Sequence, residues 1–208
     1  ENIDCCNNLG NLYLLQGAYE QAVTYFQKAL HLKPDFLKAH RNLGLLYQNK
    51  GDYEQAKYHF ETILAQDPED SFIHKDLGIL LAKQNLFSQA MPYFEKAIQL
   101  DPHHAETYMN LGNITRYMGQ RDKAYTFFKK ALSLQPILWG AYTWYLHALL
   151  FDPNLSAEEI FRNYCIWGKH VLKYLSPKPS QVVYSNTPDP QRPLKIGYVS
   201  RDLFDQAT

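Results

Sequence analysis

Four polar side chains recur in this 208-residue sequence at a spacing of 34 residues, each two positions before a glycine. They are Asn8, Asn42, Asp76 and Asn110. A carboxamide donates and accepts hydrogen bonds at once, whereas the ionised carboxylate of Asp76 can only accept them. The regular spacing indicates a repeated element that presents one polar position in each copy.

The histidines and cysteines are not spaced like the ligands of a metal site. His31, His103 and His104 fall at or near the ends of predicted helices, with no cysteine or carboxylate at ligand spacing. A histidine near a helix C-terminus interacts favourably with the helix dipole, which explains these residues without a metal. The three cysteines include the neighbours Cys5 and Cys6, which argues against a disulfide framework and for a reducing compartment. We therefore predict a cytoplasmic protein, or a nucleocytoplasmic one in a eukaryote, with no metal and no cofactor in this chain.

Charge and hydropathy limit the classes of partner. The chain carries 21 Lys and Arg against 21 Asp and Glu, a net charge of zero. No long-range field therefore attracts nucleic acid or an anionic membrane, and no apolar run reaches the roughly 18 residues of a membrane span.

The first residue is Glu1, and a new kind of element begins shortly before Thr208. We expect the chain to be the middle of a longer protein.

A unit of 34 residues is repeated four times. Each copy holds a Leu-Gly pair, an alanine, a phenylalanine and a proline at fixed positions: Leu9-Gly10, Ala22, Phe26 and Pro34; Leu43-Gly44, Ala56, Phe60 and Pro68; Leu77-Gly78, Ala90, Phe94 and Pro102; Leu111-Gly112, Ala124, Phe128 and Pro136. This pattern is typical of the tetratricopeptide repeat. It predicts an all-α fold in residues 1–138, a right-handed superhelix of four helix pairs whose first helices line the concave side. The predicted repeats are residues 3–36, 37–70, 71–104 and 105–138.

The second copy shows how one unit should fold. Its first helix is predicted from about Leu37 to Asn49 and its second from about Tyr53 to Gln66, where a following proline ends it. We expect Gly44 and Ala56 to face each other across the pair, because small residues let two helices approach closely. The turn within each pair falls on a residue that tolerates a positive φ: Gly17, Gly51, Asn85 and Gly119.

Three further segments follow the repeats. Residues 139–175 are predicted to form a capping helix pair whose second helix starts at Ser156, with Glu159 completing a capping box. Residues 176–193 contain five prolines and no helical pattern, which is typical of a linker. The last segment, residues 194–208, opens with a nearly continuous apolar run that suits the first strand of a parallel α/β sheet.

The last part of the chain resembles one particular junction between domains. Three segments are similar to the passage from the repeats into the catalytic region of protein O-linked glycosyltransferases. They are Leu155–Phe161, Trp167–His170 and Arg192–Asp202. That family includes the O-GlcNAc transferases and the SPINDLY-type O-fucosyltransferases. The resemblance implies that residues 194–208 open a GT-B catalytic lobe, and that the full-length protein transfers sugar from UDP-GlcNAc or GDP-fucose to Ser or Thr. At the position of the family's active-site histidine stands Gln206, and an amide cannot act as a general base near neutral pH.

The resemblance also implies that the first helices bind peptide. In that family, asparagines at the four recurring positions form a ladder along the concave face and hydrogen-bond the backbone of a bound peptide. The same asparagines also fit an alternative in which they mainly stabilise the stack of repeats. The candidate peptide-binding residues are Asn8, Asn11, Lys38, Arg41, Asn42, Lys75, Asp76, Asn110 and Asn113.

Two functions fit these observations. The first is the substrate-recognition region of a protein O-glycosyltransferase, inactive alone, which holds extended protein segments in the concave groove. The alternative is a non-catalytic scaffold for protein–protein interaction.

We expect the groove to be locally basic and to favour acidic segments, whereas a clamp for a terminal carboxylate is disfavoured because Asp76 would repel it. Homo-oligomerisation through the repeats stays open. The groove cations are Lys38, Arg41, Lys75, Lys83 and Arg116.

Overall fold

The computed structural model describes residues 2–150 and 155–175, with side chains described as far as Lys169. Within these ranges the chain forms ten helices and no strand. They are α1 (Ile3–Leu15), α2 (Tyr19–Leu32), α3 (Leu37–Lys50), α4 (Tyr53–Gln66), α5 (Ser71–Lys83), α6 (Phe87–Leu100), α7 (Ala105–Tyr117), α8 (Arg121–Leu134), α9 (Trp139–Leu149) and α10 (Ala157–Leu175). The predicted linker at 176–193, the predicted strand at 194–208 and Gln206 lie outside the described residues.

Backbone contacts divide the chain into two compact units, Glu1–His170 and Val171–Thr208. Helices α1 to α9 and the larger part of α10 belong to the first unit. No described helix is long and apolar enough to cross a membrane.

The turns inside the helix pairs have the predicted conformation. Gly17, Gly51 and Gly119 take φ values of 74°, 82° and 76°, and Asn85 takes 61°. Asparagine is among the few residues with a side chain that enter this left-handed region readily, which explains its place in the third copy. Helix α4 has the bounds predicted from the sequence, and α3 ends one residue later than predicted.

A phenylalanine ring packs against the glycine of each first helix. The four rings are fully buried: Phe26, Phe60, Phe94 and Phe128. A Cβ atom built on Gly44 would lie 2.5 Å from Cε1 of Phe60, and the other three glycines face the equivalent ring at a similar distance. The atoms nearest to a Cβ at Gly44 therefore belong to Phe60, whose ring reaches across the pair and occupies the space that glycine leaves. The expected approach of Gly44 to Ala56 stays a prediction.

The first helices of successive pairs contact one another, α1 with α3, α3 with α5, and α5 with α7. Among the second helices of the four repeats, none contacts another second helix. Helices α2, α4 and α6 each contact only the first helix before and the first helix after them, and α8 contacts α7 and α9. A stack in which one row of helices touches and the other does not curves toward the row that touches. The concave face therefore consists of the outward side chains of α1, α3, α5 and α7.

Two more helices follow the repeats. Helix α9 packs against α7 and α8, and α10 approaches α9 through the rings of Trp167 and Tyr142, whose centroids are 6.3 Å apart. The predicted capping box is present at the start of α10. The backbone amide of Ser156 donates to the Glu159 carboxylate at 2.9 Å, and the Glu159 amide donates to the Ser156 hydroxyl at 3.3 Å. The Ser156 hydroxyl also donates to the Glu159 carboxylate, at 2.8 Å. The bonds that the Ser156 amide and hydroxyl donate to this carboxylate lower the pKa of Glu159.

Candidate binding site on the concave face

The recurring polar positions differ in how much of their hydrogen-bonding capacity is already used. The side-chain amide of Asn42 donates to Oδ1 of Asn7 and to Oδ1 of Asn11, both at 3.0 Å. These two acceptors lie in the preceding repeat, one and two turns along α1, so Asn42 ties the first pair of repeats together. The side chains of Asn8 and Asn110 make no hydrogen bond to a described residue. Asn8 is exposed and Asn110 half-buried.

The third recurring position, Asp76, lies at the centre of a chain of ion pairs. Its carboxylate is 3.7 Å from a guanidinium nitrogen of Arg41 and 3.7 Å from Nζ of Lys75, which is also 3.8 Å from Glu106. Asp76 is only 4% exposed. Burial raises the pKa of its carboxyl despite the two neighbouring cations, which act in the opposite direction. The network joins α3, α5 and α7 on the inner face.

The ion pairs reduce the positive charge that was expected in the groove. Lys38 lies 4.0 Å from Asp4, so Lys38, Arg41 and Lys75 each face a carboxylate. Lys83 donates to Oδ1 of Asn49 at 3.5 Å. The guanidinium of Arg116 stacks over the rings of Tyr117 and Trp144, 4.2 and 3.9 Å from their centroids. The first half of the groove is therefore nearly neutral in charge, and the unbalanced cations lie toward the last turns of α5 and α7.

Phe72 stands exposed between two of the paired cations. Its ring is 5.2 Å from the guanidinium of Arg41 and 5.7 Å from Nζ of Lys75, and it meets the His104 ring edge-on at 5.5 Å. Even so, 42% of Phe72 remains accessible. The surrounding groups fix the orientation of the ring and leave one part of it free for contact.

A pocket of about 210 Å³ opens between α5, α6 and α7. Ile79, Ala82, Phe87 and Tyr117 form its walls, and Asn110 and Asn113 line it from α7. The rings of Phe87 and Tyr117 stack at 5.2 Å and are nearly parallel. Sequence reasoning missed this pocket. The signal for it is Ala82, a small residue where the preceding repeat has the buried Gln48.

Metal ligation finds no support in this part of the chain. No three His, Cys, Asp or Glu side chains of the described residues come together in a way that could hold a metal ion. His103 and His104, expected near the end of a second helix, instead lie in the turn before α7. There the His104 Nδ1 atom lies 2.9 Å from the Thr107 hydroxyl.

Comparisons with solved structures find helical-repeat proteins. PilF from Pseudomonas aeruginosa is 24% identical with a TM-score of 0.72, over 80% of this chain and 75% of its own. MamA from Desulfovibrio magneticus RS-1 is 19% identical with a TM-score of 0.71, over 84% of this chain and 97% of its own. YrrB, described as a tetratricopeptide protein with an unusual peptide-binding site, is 25% identical with a TM-score of 0.61, over 80% of this chain and 87% of its own.

The comparison with family models identifies the repeats, whereas the comparison with curated proteins finds no match. No curated protein matches the chain, and none of the matches supports a relationship to the O-glycosyltransferases. The tetratricopeptide-repeat models match residues 3–36, 37–70, 71–104 and 105–137, well over half of the sequence. The predicted all-α repeat fold is confirmed, and the chain belongs to the tetratricopeptide-repeat family.

Proposed function

We propose that this chain is a protein–protein interaction scaffold that binds an extended segment of a partner along its concave face. The observation that carries the proposal is Phe72, an aromatic side chain held in place by Arg41, Lys75 and His104 and still accessible on the inner face. Aromatic side chains that are rigidly held and half-exposed are frequent anchors of binding interfaces.

The charges around Phe72 favour this use. Arg41 and Lys75 are balanced by Asp76 and Glu106, so an uncharged segment can approach without meeting a strong repulsive field. Because the ion pairs and the packing of the repeats already fix these side chains, little conformational entropy is lost when a partner binds. The likeness to YrrB, described as having a peptide-binding site, supports the same proposal.

The test is selection of peptides from a random displayed library, followed by titration calorimetry with the selected peptide. We expect Phe72→Ala to weaken binding about fivefold or more, since removal of an aromatic anchor costs more than about 1 kcal/mol. The matched control is Tyr19→Ala, which removes a similarly exposed aromatic residue from the second helix α2. Light scattering on the same samples separates peptide binding from self-association of the repeats.

Equal affinities for the Phe72→Ala and Tyr19→Ala variants would contradict binding on the concave face. Failure to select any peptide, with the protein folded by circular dichroism, would contradict the proposal as a whole.

The motif in Arg192–Asp202, outside the described residues, favours a second candidate. In that proposal the same groove delivers substrates to a glycosyltransferase lobe, with UDP-GlcNAc or GDP-fucose as donor. The test offers both labelled donors, with a cell lysate as acceptor, to the longest natural form of the protein. Label on Ser or Thr would support an enzyme that tolerates Gln206. The absence of label from both donors would contradict this second candidate and favour the non-catalytic scaffold.

A further inference from the structure

The pocket between α5, α6 and α7 has the size of a single side chain. A dry apolar cavity of roughly 150 Å³ is enough to bind benzene, whereas sites for drug-sized ligands run from roughly 300 to 1,000 Å³. At about 210 Å³, this pocket accommodates one aromatic ring or one branched aliphatic side chain. Its walls are apolar, formed by Ile79, Ala82 and the stacked pair Phe87 and Tyr117.

The junction one repeat earlier shows why this pocket is special. The positions of Ala82 and Tyr117 correspond there to Gln48 and Lys83. Gln48 is buried, and Lys83 donates to Asn49 across the junction. At the earlier junction, the long polar side chain of Gln48 thus stands where the pocket has the small Ala82. The polar contact made by Lys83 stands where the pocket has the exposed Tyr117. Only the change of side chains distinguishes the two junctions, because the helices repeat.

Two carboxamides in the pocket have no partner for part of their hydrogen-bonding capacity. Asn110 is the equivalent of Asn42, but the positions of Asn7 and Asn11, which accept from Asn42, are occupied by Lys75 and Ile79 in the repeat that precedes Asn110. Neither Lys75 nor Ile79 offers a side-chain acceptor. Oδ1 of Asn113 is buried and makes no hydrogen bond. Rotation of this terminal amide, whose torsion is loosely restrained, presents either its oxygen or its nitrogen to the pocket.

The rim of the pocket carries a positive charge. Lys83 lines it, and no carboxylate does. The ammonium group of Lys83 has only a long contact, 3.5 Å, to a neutral amide oxygen. An acidic residue beside the side chain in the pocket would therefore find a cation, whereas a basic residue there would meet repulsion.

We propose that this pocket is an anchor subsite for one large apolar side chain of an extended partner segment, with an acidic residue next to it. Asn110 donates to a backbone carbonyl of the segment, Asn113 accepts from a backbone amide, and Lys83 pairs with the acidic residue. The inference rests on the proposed function and specifies the chemistry of the partner.

The experiment uses the full 208-residue chain and three acetylated, amidated tetrapeptides: Ser-Asp-Leu-Ser, Ser-Lys-Leu-Ser and Ser-Asp-Gly-Ser. Binding is followed by nuclear magnetic resonance, from the side-chain amide signals of Asn110 and Asn113 and the methyl signals of Ile79. We expect saturable shifts with Ser-Asp-Leu-Ser, and affinities at least tenfold weaker for the other two peptides.

Two variants probe the shape and the charge of the pocket separately. Ala82→Leu fills the pocket and should abolish binding of Ser-Asp-Leu-Ser, while Ala65→Leu, the same substitution at an exposed position of α4, should leave it unchanged. Lys83→Glu should reverse the preference, so that Ser-Lys-Leu-Ser binds more tightly than Ser-Asp-Leu-Ser. Amide spectra of α5 to α8, the helices around the pocket, show whether each variant is folded.

Equal binding of Ser-Asp-Gly-Ser, or binding that survives Ala82→Leu, would overturn the subsite. If the tetrapeptides or the selected library peptides shift only signals around Phe72, the subsite is wrong and the proposed function stands. If none of these peptides shifts any signal of the concave face, both are wrong.

Discussion

At the scale of single residues, two histidines form a polar contact inside the second helix pair. His40 is 4% exposed and His59 is 6% exposed, and their Nδ1 atoms lie 2.9 Å apart. Nε2 of His40 lies 2.9 Å from the carbonyl oxygen of Pro34. A carbonyl can only accept, so Nε2 of His40 carries the hydrogen. Its Nδ1 is then the acceptor for the Nδ1 hydrogen of a neutral His59.

This contact makes the stability of the chain depend on pH. Burial, and to a smaller degree the charge of His40, lower the pKa of His59 from 6.5 to about 4. Between these two values the unfolded chain binds the proton more readily than the folded one, so stability falls as the pH falls from 6.5 to about 4. We expect a loss of about 2 kcal/mol, less than the full shift would give because solvent screens part of the charge.

Chemical denaturation at a series of pH values measures this loss. His59→Gln should flatten the dependence between pH 6.5 and 4, whereas His103→Gln, which removes an exposed histidine, should leave it in place. A wild-type stability that stays constant across this range would show that His59 is not buried as a neutral base.

Residue-scale contacts were the least predictable from the sequence. The sequence predicts that an ionised Asp76 can only accept hydrogen bonds, but its pairing with Arg41 depends on how α3 and α5 meet. The bonds from Asn42 to Asn7 and Asn11 likewise cross between repeats. A regular sequence pattern identifies equivalent positions, whereas the partners of each position depend on side chains a full repeat away.

At the scale of the helix, the start of α5 holds the aromatic anchor. Oδ1 of Asp70 accepts from the backbone amides of Phe72 and Ile73 at 2.9 and 3.1 Å. We expect Asp70→Ala to destabilise the protein by about 1 kcal/mol, because it leaves these amides without their cap, and Asp70→Asn to preserve the cap. Faster hydrogen exchange at the Phe72 and Ile73 amides in the alanine variant alone would verify this assignment. Equal exchange in the alanine variant and the wild type would show that the cap contributes nothing.

Helix positions were predicted well because each boundary has a local cause. Gly51 and Pro68 mark the turn and the end of the second helix pair, and the bounds of α4 follow from them. The pocket beside α6 could not be predicted in the same way. It results from the difference in volume between Ala82 and Gln48, and volume has no periodic signal. The motif that suggested a catalytic strand lies in residues 194–208, outside the described residues, and remains a sequence prediction.

At the scale of the whole array, each repeat is stabilised by its immediate neighbours. Stability in such an array is close to a sum of repeat and interface contributions. Phe94 is fully buried in a cluster with Ala90, Leu111 and Ile114, which joins the third and fourth repeats. We expect Phe94→Ala to cost about 3 to 5 kcal/mol and to remove protection from hydrogen exchange in α5 to α8, while α1 to α4 stay protected.

Phe26→Ala is the matched control, since Phe26 is equally buried but belongs to the cluster of the first repeats. Its effect should be confined to α1 to α4. Uniform loss of protection along the chain in both variants would mean that the array unfolds as a single cooperative unit.

The four contacts between a glycine and a phenylalanine ring have a consequence for recognition. Because Gly10, Gly44, Gly78 and Gly112 each pack on the equivalent ring in nearly the same way, the four helix pairs are built alike. A surface that is strictly periodic offers a bound strand several equivalent registers, and the strand can slide from one to the next. In the proposed binding mode, the accessible ring of Phe72 and the pocket beside Ala82 break this equivalence, so they fix the register of the bound segment.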